Sequence, residues 1–207
     1  MNTATATNPG SPLSGALRAG IFLILALVML ATRINHFAPV PDASWVVFFA
    51  GGFYLRRDWR WALPLFMVLA VAIDYAVISG QGLSFWTHYC VSPAYWFLAP
   101  AYAAMWLGGA WLARHAHGLH LRELALLAAS LLLATSVCFL VSNGSFYWLS
   151  PMVATPTFAG WMTNLGDWYV PYLRTSLAYG AIAALLHVAT VQAARHLHGA
   201  TDPLATR

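Results

Sequence analysis

The sequence contains no lysine; its ten basic residues are all arginine. That absence excludes a P-loop ATPase, which needs a lysine on the nucleotide phosphates, and any lysine Schiff-base chemistry. If the protein takes part in ATP-driven transport, another subunit must supply the ATPase. Charge of either sign is scarce: 8% of residues are charged, against about 25% in soluble domains. With 60% hydrophobic residues and a mean hydropathy of +0.66, the chain reads as a membrane protein. The net charge of +4 is not a nucleic-acid signal, because the arginines are scattered singly or in one short loop. Two cysteines do not make a disulfide scaffold, and no Cys-x-x-Cys is present to suggest a metal site. Neither Gly-x-Ser-x-Gly nor His-Glu-x-x-His occurs, which argues against a membrane hydrolase. The absence of Cys-x-x-Cys-His argues against covalent haem.

What is present is a series of apolar runs. Residues 1–15 are rich in Thr, Ala, Asn, Pro, Gly and Ser and read as a disordered tail. The run from Ala16 to Thr32 resembles a secretory signal in hydropathy. Its apolar core is long, however, and Arg33-Ile34-Asn35-His36-Phe37 comes next instead of a small-residue cleavage site, so it is expected to span. Further runs cover Ala43–Leu55 (short, after a turn in which Asp42 is a candidate N-cap), Trp61–Ser79, Pro93–Ala113, Leu121–Val141 and about Trp168–Ala194. The expectation is an all-α membrane domain of six transmembrane helices over residues 16–195, with a C-terminal tail at 196–207. Between the fifth and sixth runs a link from Ser142 to Asp167 is expected, with aromatics that suit an interface or a cavity cover.

Arginine counting predicts the orientation. With both termini inside, the inner segments hold Arg18, Arg56, Arg57, Arg60, Arg114, Arg122, Arg195 and Arg207, and the outer ones only Arg33 and Arg174. The outer links 34–42, 80–92 and 142–167 are then nearly uncharged. Small residues spaced by four, at Ala16/Gly20, Ala104/Gly108 and Ser176/Gly180/Ala184, predict close helix approach within the chain or docking to another membrane subunit.

The chemistry concentrates in Trp86-Thr87-His88-Tyr89-Cys90-Val91-Ser92-Pro93-Ala94-Tyr95-Trp96. Ser92 is placed to cap a helix and Pro93 suits its first position. Cys90 would then lie just outside a helix N-terminus, where free N–H groups favour a thiolate. It has three readings: an apolar filler, a disulfide partner of Cys138, or a soft metal ligand. Cys138, among Leu, Val and Phe, looks like filler. Asp74 is the only acid well inside a spanning run. It reads as an ion pair with Arg33 or Arg174, as a polar contact to a solute in an outer cavity, or as both. His88 is a weaker ligand candidate, more often solvated at such a site. His115, His117 and His120 form an inner polar link, and His187 lies deep in the sixth run. Tyr89, Tyr95 and Trp96 either line a cavity or anchor at the interface.

The segments Pro41-Asp42-Ala43-Ser44-Trp45-Val46-Val47-Phe48-Phe49-Ala50-Gly51-Gly52-Phe53-Tyr54-Leu55 and Tyr89-Cys90-Val91-Ser92-Pro93-Ala94-Tyr95-Trp96-Phe97 resemble the BtuM family. These are solitary S-components of the energy-coupling factor (ECF) type, associated with cobalamin uptake across the bacterial inner membrane. The six-helix count and the missing ATPase motif agree with that family over nearly the whole chain. The resemblance implies a multi-pass protein whose cobalamin site faces the periplasm under the outer loops. It implies Cys90 as the cobalt ligand, able to displace an axial ligand such as cyanide, with Tyr95 and Asp74 as wall contacts. It also implies as a partner a shared ECF module of ATPases and a transmembrane coupling subunit, alongside the lipid bilayer. On the first helix, where the family docks that partner through small residues, this chain offers only Ala16/Gly20. Other readings stay open: a membrane enzyme whose main role is thiolate-driven decyanation of cobalamin, an S-component for another vitamin, or a haem- or quinone-linked redox subunit.

Overall fold

The computed structural model describes residues 14–34 and 40–200. The expected N-terminal tail to residue 13, residues 35–39 of the first outer link and the C-terminal tail from 201 lie outside the described residues. Six α-helices run in order: α1 (Gly15–Arg33), α2 (Ser44–Tyr54), α3 (Trp59–Gly80), α4 (Leu98–His115), α5 (Leu121–Leu149) and α6 (Phe158–Ala200). Short 3-10 helices at Arg56–Asp58, Phe85–Thr87 and Pro93–Phe97 complete the described structure, which contains no strand. Four segments are long and apolar enough to cross a membrane: Gly15–Arg33, Arg56–Gly80, Leu121–Leu149 and Phe158–His196. The helix α2 has 11 residues, about 17 Å at 1.5 Å per residue, short of a full span.

The helices α2 and α4 form the centre. Their contact depends on glycine. A Cβ on Gly52 would strike the Trp106 carbonyl, and one on Gly109 would strike the Phe49 carbonyl, so the two backbones touch where no side chain fits. Beside this seam Phe48 stacks on Tyr102 at 4.4 Å, and Phe66 from α3 meets Phe48 edge-on at 5.8 Å. Met29, Phe48, Phe66 and Met105 are fully buried in the resulting core. The other small-residue seams divide. Gly108 packs against Ala134 of α5, and Gly180 against Leu131 of α5. Gly20 on α1 faces nothing within the described residues. Leu23, Ile24 and Leu27 of the same helix are likewise exposed, as is much of α6.

The link expected at 142–167 is much shorter. The helix α5 continues to Leu149 and α6 begins at Phe158, leaving only 150–157 between them. The polar residues that suggested a loop are accommodated inside the helices. Ser142 and Ser145 donate to the carbonyls of Phe139 and Ser142, and Asn143 donates to Asn164 of α6 at 2.7 Å. A polar side chain that bonds its own helix or its neighbour does not end the helix.

Candidate functional site

The C-terminal parts of α1 and α3 and the N-terminal part of α4 meet the start of α2 around one buried arginine. Arg33, 5% exposed, is the last residue of α1. Its Nε donates to Asp74 Oδ1 at 2.7 Å and its Nη2 to Asp74 Oδ2 at 2.7 Å. Its Nη1 donates to Asp42 Oδ2 at 2.8 Å, Ser44 Oγ at 3.1 Å and the Tyr102 hydroxyl at 3.0 Å. The planar guanidinium fork suits this task, since it engages one carboxylate with two donors and still reaches a second. Asp74 therefore pairs with Arg33; Arg174 stands exposed on α6. Asp42 sits one residue before the cap position of α2, held by Ala43, yet its Oδ1 accepts the Ser44 N–H at 2.8 Å and the Ser44 hydroxyl.

Tyr95 extends this network to the loop that carries Cys90. Its hydroxyl donates to Asp74 Oδ2 at 2.6 Å. The 3-10 helix Pro93–Phe97 sets its position, with Ala94 and Tyr95 buried and Phe85 packed edge-on to the Tyr95 ring at 6.1 Å. Above the network opens a cavity of about 480 Å³, walled by Arg33, Asp42, Trp45, Asp74, Gln81, His88, Tyr89, Cys90, Tyr95, Tyr102 and Ser142 among others. All five residues singled out for cobalt or ligand contact, Cys90, Asp74, Tyr95, Tyr89 and His88, line it. Trp45, Tyr102 and Ser142 were not anticipated. A phenol wholly enclosed in an apolar helix, as Tyr102 is, was the available signal.

Two expectations about the cysteine loop require correction. Ser92 occupies the cap position, but its hydroxyl bonds no backbone N–H and is buried without a partner among the described residues. The element it leads into is a five-residue 3-10 helix rather than the first turn of α4. The N-terminal field expected to ionise Cys90 is correspondingly short. The thiol is half-buried and pushed above its ordinary value, first by that burial, with the negative charge of Asp74 adding to it. The neighbouring Tyr89 hydroxyl works the other way on the sulfur, and the thiol in turn raises Tyr89. Cys90 is thus a neutral thiol that a soft metal would have to deprotonate on binding. His88 presents Nδ1 to the Cys90 backbone N–H at 3.3 Å and stacks obliquely on Tyr89 at 4.4 Å.

The remaining candidates lie apart from this site. Both cysteines are free; Cys138 is fully buried, with its sulfur 3.1 Å from the Tyr172 hydroxyl. Among the described residues no group of three His, Cys, Asp or Glu side chains is arranged to hold a metal ion, so His115, His117 and His120 do not converge. His115 bonds the Trp111 carbonyl at 2.8 Å instead and stacks on that indole. His187 pairs through Nδ1 with the Tyr54 hydroxyl at 2.9 Å, in the wall of an apolar crevice of about 430 Å³ at the opposite end of the bundle. An open crevice of about 500 Å³ lies beyond the cysteine loop, between Trp86, Ser92 and Pro93 on one side and Trp148 and Pro151 on the other. It shares His88 and Tyr89 with the main cavity.

Comparison of the chain with protein-family models and with curated proteins gives no match.

Proposed function

We propose that the chain is a cobalamin-binding subunit of a membrane uptake system. It would lie in the bacterial inner membrane as six helices with both termini inside, its cavity open to the periplasm and Cys90 serving as the cobalt ligand. The observation that carries this reading is the convergence of Cys90, Asp74 and Tyr95 on one cavity. Asp74 on one helix and Cys90 and Tyr95 on the segment that follows it, chosen for their chemistry and their resemblance to the BtuM family, line this cavity. A soft sulfur held half-buried at the cavity edge suits a transition metal presented by a ligand from outside. The apolar exteriors of α1 and α6 suit lipid, and the open face around Gly20 suits a coupling subunit that brings the ATPase this chain lacks.

The ligation step balances as a substitution at cobalt(III). The Cys90 S–H bond breaks and a sulfur–cobalt bond forms. With cyanocobalamin the cobalt–cyanide bond breaks in the same exchange, and the thiol proton leaves with cyanide as hydrogen cyanide. Cobalt keeps its oxidation state, so no reductant is required. Cobalamin is too bulky for a cavity of about 480 Å³ alone, so the bound vitamin would extend into the adjoining crevice, past His88 and Tyr89.

The test is the visible absorption spectrum of the purified protein with cyanocobalamin, for wild type and Cys90→Ala. Retention of a corrinoid with a shifted cobalt band in wild type, and an unshifted band or no corrinoid in the variant, is the expected result. Identical unshifted spectra would remove the thiolate step, and no binding by either would overturn the cobalamin reading.

A further inference from the structure

Beyond the contact of Gly180 with Leu131, α5 and α6 part and leave the crevice of about 430 Å³ at the end of the bundle opposite the Arg33 network. Phe49 and Phe53 of α2, Leu124 and Leu127 of α5, and Ala184 and Val188 of α6 wall it. Both α5 and α6 are long and apolar enough to cross a membrane, which sets a crevice between them beside lipid. Its polar groups are few. Tyr54 and His187 satisfy each other at 2.9 Å. Glu123, also in the lining, is left short of donors. It is the third residue of α5, where the free N–H groups of a first turn favour a carboxylate. Its side chain is only 12% exposed. Its Oε1 takes a long hydrogen bond of 3.4 Å from the neighbouring Arg122, itself 67% exposed. Its Oε2 is buried with no donor among the described residues. A carboxylate oxygen shielded from water and left unpaired calls for a partner from outside the chain.

We propose that this crevice holds one phospholipid with a primary ammonium headgroup, a phosphatidylethanolamine, its acyl chain along the apolar walls and its ammonium donating to Glu123 Oε2. The inference uses the membrane-spanning helices and is independent of the corrinoid reading. The apolar walls ask for a hydrocarbon chain, and the crevice has room for one. The unpaired carboxylate oxygen asks for a cation that still carries N–H donors. A primary ammonium meets both needs of that oxygen. A choline headgroup has the charge but no N–H. A glycerol headgroup leaves the lipid's phosphate uncompensated beside a second negative charge. The exposed Arg122 next in sequence suits the phosphate, so neighbouring residues of α5 match the two charges of one zwitterionic headgroup.

The experiment reconstitutes the full chain in bilayers of equal parts phosphatidylethanolamine, phosphatidylglycerol and phosphatidylcholine with matched acyl chains. The protein is then extracted in mild detergent and its retained lipid is identified by native mass spectrometry. Wild type, Glu123→Gln and Ala184→Phe are compared. Wild type is expected to keep a single lipid, phosphatidylethanolamine over either rival by about fivefold, as one charge-assisted hydrogen bond at a part-exposed site would give. Glu123→Gln keeps the shape of the side chain and removes its charge, so it should still hold a lipid but with that preference gone. Ala184→Phe fills the crevice and should hold none. Wild type that keeps no lipid, or keeps the three in equal proportion, overturns the proposal. So does an unchanged preference in Glu123→Gln. Retention undiminished in Ala184→Phe would place the lipid elsewhere on the bundle and overturn the crevice as its site.

Discussion

Arg33 and Asp74, 41 positions apart in sequence, meet through two parallel hydrogen bonds of 2.7 Å each, closing the C-terminal end of α1 onto the C-terminal half of α3. The arginine also holds Asp42, so its removal would strand two carboxylates in a buried place. Breaking a buried ion pair from one side costs about 3–5 kcal/mol. Arg33→Gln is therefore expected to lower the thermal midpoint of the detergent-purified protein sharply. Arg33→Met combined with Asp42→Asn and Asp74→Leu should recover much of the loss, because no unpaired charge remains. A single variant as stable as wild type would mean that the pair contributes nothing.

Tyr95 reports on the same network from the cysteine loop. Its hydroxyl is the donor that joins Asp74 to the 3-10 helix after Cys90. Tyr95→Phe keeps the ring contact with Phe85 and deletes one hydrogen bond to a charged group, worth about 1.5–3 kcal/mol. The expected outcome is a modest loss of stability together with faster hydrogen exchange confined to residues 85–97. Exchange spread evenly over the bundle would show instead that the loop is not held through Asp74.

The sequence disclosed the helical character, and singled out residues that the fold brings to one cavity, far better than it disclosed the helix ends. Apolar runs marked all six helices; Cys90 and Asp74 stood out because each is chemically out of place in its segment, and Tyr95 was singled out by the family resemblance. Ser142, Asn143 and Ser145 misled, since their hydrogen bonds within α5 and to α6 cannot be read from residue type. Ser92-Pro93 misled in the other direction: a good cap signal led to a short 3-10 helix with the serine hydroxyl unbonded. The second half of the Arg33 network, Asp42 and Tyr102, depends on long-range packing that brings α2 and α4 together through glycine; a capping role for Asp42 and a phenol in an apolar run were legible, but not their meeting on Arg33.

That glycine seam makes its own prediction. Gly109→Ala would drive a methyl group into the Phe49 carbonyl, and Gly52→Ala into the Trp106 carbonyl. Overpacking of a tight core costs about 1–3 kcal/mol, and a backbone neighbour cannot swing aside as a side chain can. Both variants are expected to reduce the yield of monodisperse protein and its melting temperature. Gly20→Ala is the control, because a Cβ there meets nothing within the described residues. It should leave the isolated chain unchanged, and impairment of uptake in cells by that variant alone would mark the α1 face as a docking surface.

The last prediction concerns pH. Burial and the nearby Asp74 charge hold the Cys90 thiol above its ordinary value, so near neutrality the sulfur carries its proton. The nucleophile and ligand is the thiolate. Below the thiol's shifted pKa the thiolate fraction rises about tenfold for each pH unit, and above it the fraction is constant. The rate at which the cobalt band shifts after mixing with cyanocobalamin should therefore climb through neutral pH and flatten only on the alkaline side. Tyr89→Phe removes the neighbouring hydroxyl that favours the thiolate and should move the plateau to still higher pH. Stopped-flow absorbance from pH 6 to pH 10 on both proteins checks the two statements together. A rate already flat near neutral pH would mean that the sulfur is ionised before the ligand arrives, against the effect of its burial.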